Sequence, residues 1–267
     1  MARDSIGELI RSWRVQRRRS QMDLALEVGV SPRHLSFVET GRSRPSPELV
    51  LALADRLEVP LRARNVLLLA GGYAPRFSHR DLDSDEMRPM RIAVTRLLDA
   101  HDPFPGVAID RQWNVVIANQ SAHALLDGVA PHVFAPRLNV FRVCLHPDGL
   151  APRTRNFSEW SAYLLGQMRR TIALTGDPEL ATLEREVLEY PNLKSVGETS
   201  IDAWSDPPLL VPFEFDLNDT PISLFTTLTT FGTPRDVTLD ELAIELFFPT
   251  DDATAEVLTR RASMVPT

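Results

Sequence analysis

The sequence predicts two domains, a small all-α domain at the N-terminus and a larger α+β domain with an antiparallel sheet. Its 267 residues exceed what one short helical module needs. Apolar residues first recur with the 3.6-residue period of a helix, and a strand-like period of two appears only in the last third of the chain.

Charge is also unevenly divided between the N-terminal part and the rest of the chain. Residues 1–80 hold 14 arginines against 8 acidic residues, a net charge of +6, in a chain of net charge −7. A basic lobe on an acidic body is typical of a protein whose first domain meets a polyanion.

Short helices with clear start signals account for the first domain. The first begins at Ser5, which forms a capping-box pattern with the glutamate three residues on. The next three begin at Ser20, Ser31 and Ser46, and serine is a favoured N-cap residue. A fifth helix is predicted over residues 61–70, ahead of a Gly-Gly pair. Helices of about ten residues are marginal alone, so we expect the five to pack together.

The second and third helices form a predicted helix-turn-helix. Gly29 can take the positive φ that the turn between them needs, and Gly41 closes the third helix. That helix has a polar outer face, and such a helix enters the major groove with its first turn toward the base edges. We therefore predict contacts with double-stranded DNA from Gln21, Ser31, Pro32, Arg33, His34, Ser36, Phe37, Arg42 and Arg44.

These predicted contacts differ in kind. Arg33 is expected to reach base edges, whereas Gln21 and the two arginines that follow the third helix are expected to hold phosphates. Phe37 is an aromatic residue on a polar face, which contact with a thymine methyl would explain. The sequence leaves alternatives open: Arg33 could be merely solvated, His34 a bystander, and Phe37 folded over its own helix.

Four short motifs in this region resemble the Cro/cI-type (Xre) helix-turn-helix family. They are residues 21–25 (QMDLA), 29–31 (GVS), 38–42 (VETGR) and 45–47 (PSP). The resemblance covers roughly residues 5–72 and implies a lambda-repressor-like domain of five helices. It also implies an ion pair between an arginine of the first helix and the glutamate that closes the recognition helix. Those positions are Arg14 and Glu39 here, and their role would be structural.

The pattern along the chain divides it into residues 1–75, a polar linker over 76–87, and a second domain over 88–267. Two β-rich runs joined by a polar turn predict a hairpin at the start of the second domain, followed by a helix capped by Asn119. Helices are predicted over 88–100, 157–175, 178–189 and 251–262, and later strands over 213–217, 222–231 and 243–248. Strands at both ends with helices between them predict an α+β fold.

The strand–turn–strand–helix opening of this domain resembles a PAS-type sensor. Together with residues 68–75 (LLAGGYAP), 113–115 (WNV), 231–234 (FGTP) and 248–251 (FPTD), it resembles the MmyB-like regulators. Those proteins join an Xre helix-turn-helix to a PAS-like ligand-binding domain. The resemblance implies a transcription regulator whose second domain senses a small apolar effector, of the fatty-acid type.

We expect a ligand pocket between the sheet and the helices packed on it. Its predicted lining residues are the large apolar side chains of the two strand regions and of the long central helix. They are Val107, Trp113, Val115, Trp160, Leu164, Phe213, Phe215 and Phe225. Each of them is equally well explained as ordinary core.

Sequence motifs of a catalytic centre are missing, including Gly-x-Ser-x-Gly, the P-loop and His-Glu-x-x-His. Cys144 and His146 stand two residues apart, but one cysteine and one histidine do not complete a zinc site. We therefore expect no catalysis, no metal and no cofactor. An enzyme that carries the helix-turn-helix as an accessory would need a triad or a metal cluster that the sequence does not show.

A single cysteine and the lack of any apolar run of about 20 residues favour a cytoplasmic protein without membrane contact. One recognition helix reads only a few base pairs, so a homodimer is expected. The main alternative is a regulator whose PAS-like domain serves only dimerisation or partner binding, without a ligand. A tightly packed core without a cavity would favour that alternative.

Overall fold

The computed structural model describes residues 5–194 and 209–263. These residues form two compact units. Unit 1 comprises the described residues up to Ser84 together with Phe231–Asp240, and unit 2 comprises Asp85–Thr230 and the residues from Glu241 onward. Unit 1 is helical and unit 2 contains an antiparallel sheet with helices, which confirms the predicted fold class.

Five helices make up the N-terminal part of unit 1. They are α1 (Ile6–Gln16), α2 (Gln21–Glu27), α3 (Pro32–Glu39), α4 (Pro47–Arg56) and α5 (Leu61–Ala70). Each of the four predicted serine caps accepts a hydrogen bond from the backbone N–H three residues on. The apolar faces of these helices meet in one core around Leu24, Leu35, Val38 and Leu53, all fully buried.

Helix α1 lies directly against the end of α3 because residue 7 is glycine. A Cβ atom at Gly7 would lie only 2.4 Å from the carbonyl oxygen of Val38 and 2.7 Å from that of Glu39. Any larger residue would therefore push the two helices apart. This close approach allows a side chain of α1 to reach Glu39 at the end of α3.

Residues 76–84 differ from the predicted linker because they pack within unit 1. The Asn65 side chain of α5 donates to the carbonyl oxygen of Phe77 at 2.7 Å and accepts from the Arg76 and Phe77 N–H groups, both at 3.0 Å. Ser78 accepts a hydrogen bond from the Val237 N–H at 2.8 Å. An asparagine eleven residues upstream thus anchors a segment whose polar composition suggested a free connector.

The segment Phe231–Asp240, which lies between two strands in the sequence, completes unit 1. Helix α5 begins after Pro60, whose side chain cannot cap it. Instead, Oδ2 of Asp240 accepts from the Leu61 N–H at 2.8 Å. Asp236 is buried and accepts from Nη1 of Arg80 at 2.9 Å. A carboxylate at a helix N-terminus also interacts favourably with the helix dipole, so this distant segment stabilises α5.

Unit 2 is built on a sheet with the strand order β2-β1-β5-β4-β3, in which every neighbouring pair is antiparallel. The described strands are β1 (Gly106–Ile109), β2 (Val115–Ala118), β3 (Phe213–Leu217), β4 (Thr220–Thr230) and β5 (Ala243–Pro249). The predicted hairpin is confirmed, although its second run, expected to begin at Trp113, forms a strand only from Val115. Trp113 has a φ of +64° and belongs to the turn, where Asp110 Oδ1 accepts from the N–H groups of Gln112 and Asn114.

The remaining described helices are α6 (Arg88–Asp99), α7 (Gln120–Leu125), α8 (Val140–Leu145), α9 (Phe157–Thr175), α10 (Pro178–Leu188), α11 (Pro191–Lys194), α12 (Val237–Asp240) and α13 (Asp252–Ala262). Helix α12 lies in unit 1 and the others in unit 2. The predicted cap Asn119 does more than start α7. Its buried amide accepts from the Gly106 and Ala122 N–H groups and donates to the carbonyl oxygens of Leu98 and Phe104. One side chain therefore ties α6, β1 and α7 together.

We predict that Asp240→Ala weakens α5. Loss of an N-terminal capping acceptor costs about 1 kcal/mol, so the Leu61 amide should exchange its hydrogen faster and the free energy of unfolding should fall by that amount. Amide hydrogen exchange and urea denaturation measure the two effects. Asp99→Ala, at the exposed end of α6, is the control and should leave Leu61 protected. Unchanged exchange at Leu61 in Asp240→Ala would contradict the capping role.

Candidate DNA-binding surface and ligand cavity

The outer side of α3 is open to solvent. Ser31, Pro32 and Arg33 are exposed, and His34, Ser36 and Phe37 are half-buried. Leu35 and Val38 point into the core. The side chain of Ser31 accepts from the His34 N–H at 3.1 Å, so the helix start is capped and its first turn is ordered. The residues of α3 that are predicted to face DNA, and the cap Ser31, are therefore at least partly accessible.

Phe37 lies among arginines. The guanidinium carbon of Arg33 is 5.3 Å from the centre of the Phe37 ring, and that of Arg42 is 5.9 Å away. Both distances are within the range of a cation–π interaction. This packing explains how an aromatic residue is accommodated on a polar face. It also gathers two positive charges and an apolar ring at one place, a combination that suits phosphates and base edges.

The end of α3 is held by an ion pair. Arg14 of α1 donates from Nε to Oε1 of Glu39 at 2.6 Å and from Nη2 to Oε2 at 2.9 Å. Gln21 of α2 donates to Oε2 at 2.7 Å. The Glu39 side chain is 1% exposed. Burial alone would raise the pKa of Glu39, but the hydrogen bonds from Arg14 and Gln21 outweigh it and lower that pKa.

This arrangement joins the first three helices at one carboxylate. Arg14 also donates from Nη1 to the carbonyl oxygen of Arg19, which leads into α2. The pair that the family resemblance implied is thus present in the structure. Gln21, predicted as a phosphate contact, donates one hydrogen of its side-chain amide to Glu39. The second hydrogen of that amide can donate to another acceptor.

Arg44 has a structural role that sequence reasoning missed. Its Nε and Nη2 donate to the carbonyl oxygen of Gly71 at 3.0 and 2.6 Å, and its guanidinium lies 4.9 Å from the centre of the Tyr73 ring. The Tyr73 hydroxyl in turn donates to the carbonyl oxygen of Pro45 at 2.8 Å. Most donors of Arg44 are therefore engaged in closing the domain, which leaves Nη1 for the predicted phosphate contact. These contacts span more than 25 residues, and local patterns carry no signal for them.

Unit 2 contains an apolar cavity of about 70 Å³ between β1, β2, β5 and the helices α7 and α8. Of the eight predicted lining residues, Val107 and Val115 lie in its wall. The full wall consists of Pro105, Val107, Val115, Ala118, Ala122, Leu125, Leu126, Leu138, Asn139, Val140, Val143, Cys144, Leu150, Glu245 and Phe247.

The other predicted lining residues occupy different places. Trp113, Trp160, Leu164, Phe213 and Phe215 belong to the buried core around the cavity. Phe225 lies on the opposite face of β4 from the buried Ile222 and Leu224, and its ring stacks on Phe248 with centroids 5.4 Å apart. The alternative of ordinary core packing thus describes the aromatic cluster of β3 and α9 in this structure.

Glu245 is a site residue that sequence reasoning did not single out. It lies on β5, it is 5% exposed, and its Oε2 has no hydrogen-bond partner among the described residues. Burial raises its pKa to about 7, against a smaller opposing effect of a hydrogen bond with Thr226. A signal was present, because Glu245 is the lone charged residue within the apolar run Ala243–Phe248.

Three side chains near the start and end of α8 could approach a metal ion together. Nε2 of His132 lies 3.3 Å from Oδ2 of Asp148, and Nδ1 of His146 lies 4.0 Å from the same oxygen. However, Nδ1 of His146 already accepts from the Asp148 N–H at 3.0 Å, and His132 and Asp148 are exposed. The expectation that the protein needs no metal stays a prediction.

Comparison with known families identifies both units. A model described as the MmyB-like transcription regulator ligand binding domain matches residues 90–260, and a helix-turn-helix model matches residues 10–63. The chain belongs to the MmyB-like transcription regulators. This regulator therefore combines a helix-turn-helix DNA-binding domain with a ligand-binding domain.

Relatives of this MmyB-like regulator are named as transcription regulators too. An uncharacterised HTH-type transcriptional regulator of Mycobacterium tuberculosis (strain ATCC 25618 / H37Rv) is 28% identical over 172 residues, which cover 64% of this chain and 57% of the relative. A protein of the same description from Mycobacterium bovis matches equally well. The transcriptional regulator ClgR of M. tuberculosis is 32% identical over 72 residues, 27% of this chain and 62% of ClgR. The chain thus spans little more than half the length of the first relatives.

Among residues 5–194 and 209–263, none of the helices combines the length and the apolar character that a membrane span needs.

We predict that Arg14→Met destabilises the regulator by about 3–5 kcal/mol, because it leaves a buried Glu39 carboxylate without its cation. The double variant Arg14→Met/Glu39→Met should recover most of that loss, since two apolar side chains replace the pair without leaving a buried charge. Urea denaturation gives the free energies of unfolding. Equal losses in the single and double variants would show that the pair does not act as a unit.

We predict a pH-dependent effect of Glu245→Gln. The folded protein holds the Glu245 proton up to a pKa of about 7, whereas the unfolded chain releases it near 4.5. The wild type should therefore lose about 3 kcal/mol of stability relative to the variant as pH rises from 4.5 to 7, with no further change above pH 7.

Urea denaturation of both proteins at a series of pH values tests this. Glu214→Gln is the matched control, because Glu214 lies between buried positions on β3 with its own side chain partly exposed. The free energy of unfolding of Glu214→Gln should change with pH in parallel with that of the wild type. A constant difference between the wild type and Glu245→Gln across this pH range would contradict a buried, protonated Glu245.

Proposed function

We propose that this regulator recognises a specific DNA site through α3 and that a small apolar effector bound in unit 2 alters this recognition. The observation that carries the DNA-binding part is the exposed start of α3, with Arg33 and Arg42 beside Phe37, on a helix fixed by Glu39. A rigid helix that presents basic and apolar groups at its N-terminal side suits insertion into the major groove.

The contacts we propose follow from where the side chains lie. Arg33 reaches base edges, and Phe37 packs against a thymine methyl. Arg42 and the free amide hydrogen of Gln21 bind phosphates. Ser31, Pro32, His34 and Ser36 complete the surface around the first turn, and Arg44 contributes through Nη1 alone.

Site recognition of this kind requires two copies of the regulator. One recognition helix contacts only a few base pairs, so we propose a homodimer on a two-fold symmetric site in the cytoplasm. The half-sites would lie about one helical turn of DNA, roughly 34 Å, apart.

The sensing part is supported by the cavity in unit 2 and by the path of the chain. Glu245 lines the cavity on β5, and Asp240, which caps α5 of unit 1, lies five residues before it in the chain. Strand β4 leads into the same segment from its other end. A ligand that moves β5 would therefore act on a segment that is itself part of the DNA-binding unit.

The cavity also bears on the kind of effector. A cavity of about 70 Å³ is less than half of the roughly 150 Å³ that accommodates benzene in an engineered protein core. A long fatty-acid chain would require the cavity to expand, so a compact apolar effector fits better. The presence of a cavity also favours sensing over a domain that serves only dimerisation.

We predict that Arg33→Ala weakens binding to the preferred site by about 1–3 kcal/mol and relaxes the preference for one base pair. The preferred site is first selected from random DNA with the wild-type protein. Fluorescence anisotropy with that site and with scrambled DNA then gives both affinities. Arg56→Ala, which removes an exposed charge at the end of α4, is the control and should keep the preference. Equal binding of both DNAs by wild type and Arg33→Ala would defeat the proposal.

A further inference from the structure

The polar groups in the cavity wall differ in whether their hydrogen bonds are satisfied. The wall is apolar apart from Asn139, Cys144 and Glu245. The Asn139 side chain donates to the Gln112 carbonyl oxygen at 2.8 Å and to Oδ1 of Asn114 at 3.1 Å. It also accepts from two N–H groups at the start of α8. Asn139 is therefore a structural residue with little capacity left for a ligand.

Cys144 is a weak candidate for a polar contact. Burial raises the pKa of its thiol to about 12, and the nearby Glu245 adds to that effect. The group therefore stays a neutral thiol, which is a poor donor and a poor acceptor. It contributes mainly apolar surface to the wall.

Glu245 is different, because its Oε2 is buried and has no partner within the described parts of the chain. The residue sits on a central strand, opposite Val107 of β1 and Leu228 of β4. An apolar side chain at this position would avoid the cost of burying a carboxyl group. An unsatisfied buried acceptor at the wall of an apolar cavity is what a ligand with a hydrogen-bond donor would complete.

We propose that the cavity binds a compact aliphatic molecule with one hydrogen-bond donor, an alcohol or an amine, whose O–H or N–H donates to Oε2 of Glu245. This proposal rests on the proposed sensing function of unit 2 and names its ligand class. Above pH 7, where Glu245 is ionised, a carboxylate head group fits poorly, because it would place a second negative charge and a second acceptor against the first. The apolar wall holds the alkyl part, and Glu245 selects the head group.

The test uses three probes of equal chain length: n-butanol, n-butylamine and butanoate. Ligand-observed NMR titration of the full-length wild type above pH 7, where Glu245 is ionised, should show that the alcohol and the amine bind at least about tenfold more tightly than butanoate. A hydrogen bond to a charged or buried acceptor accounts for a difference of that size. Glu214→Met, which changes a carboxylate outside the cavity wall, should keep the same preference.

Variants at Glu245 separate the head-group contact from apolar binding. Glu245→Met removes the acceptor. It should lower the affinities for butanol and for butylamine and make the two similar to each other. Glu245→Gln keeps a carbonyl acceptor but removes the charge. It should still bind butanol more tightly than butanoate, but it should no longer bind butylamine more tightly than butanoate. If Glu245→Met fails to fold, as judged by its melting curve, the Gln variant alone decides the point.

Two results would overturn the proposal. Butanoate binding as tightly as the alcohol and the amine would show that Glu245 does not select a donor, while apolar sensing by unit 2 would still stand. Failure of the wild type to bind any of the three probes would show that this cavity is not the site. Sensing itself is assessed separately, by whether small molecules extracted from cells change the affinity for the selected DNA site.

Discussion

The ion pair between Arg14 and Glu39 is the interaction on which the DNA-binding surface depends. Glu39 ends α3, and its carboxylate receives hydrogen bonds from α1 and α2 at the same time. Because Gly7 lets α1 approach the backbone of α3 closely, Arg14 reaches Glu39 with two of its guanidinium nitrogens, Nε and Nη2. A buried pair of this kind gains little net stability over an apolar pair, but it fixes where α3 lies. The positions of the exposed Arg33 and the half-buried Phe37 follow from that.

Unit 2 contains buried polar groups of two kinds, those whose hydrogen bonds are satisfied and one whose hydrogen bonds are not. Asn119 and Asn139 are buried, and their side-chain amides donate and accept hydrogen bonds. These bonds hold neighbouring elements of the unit together. Glu245 is a buried carboxyl group with an unsatisfied oxygen. A fold retains such a costly group most readily where a ligand uses it. The contrast separates the residues that build the cavity from the one that we propose gives it chemical selectivity.

The path of the chain provides a direct connection between the sheet of the ligand-binding unit and the DNA-binding unit. The segment Phe231–Asp240 leaves the sheet after β4, completes the helical unit by capping α5, and returns to form β5. The α5 cap and the Asp236–Arg80 pair, both within the DNA-binding unit, are therefore the contacts through which we propose that a change in the position of β4 or β5 acts. Under the proposed function, a ligand that favours one position of β5 would shift the populations of both units, which is thermodynamic coupling between sensing and DNA binding.

The sequence by itself determined the local features: the serine caps of α1 to α4, the Asn119 cap, the strand alternation of β3, and the polar outer face of α3. These follow from backbone sterics and from hydrogen bonds between residues three or four apart. Family resemblance added the Arg14–Glu39 pair. Only the tertiary structure decided that Arg44 closes the first domain, that Asp240 caps a helix 179 residues earlier, and that Glu245 is left with an unsatisfied oxygen beside a cavity. Such contacts depend on which distant segments pack together, and the physical chemistry of neighbouring residues does not specify that.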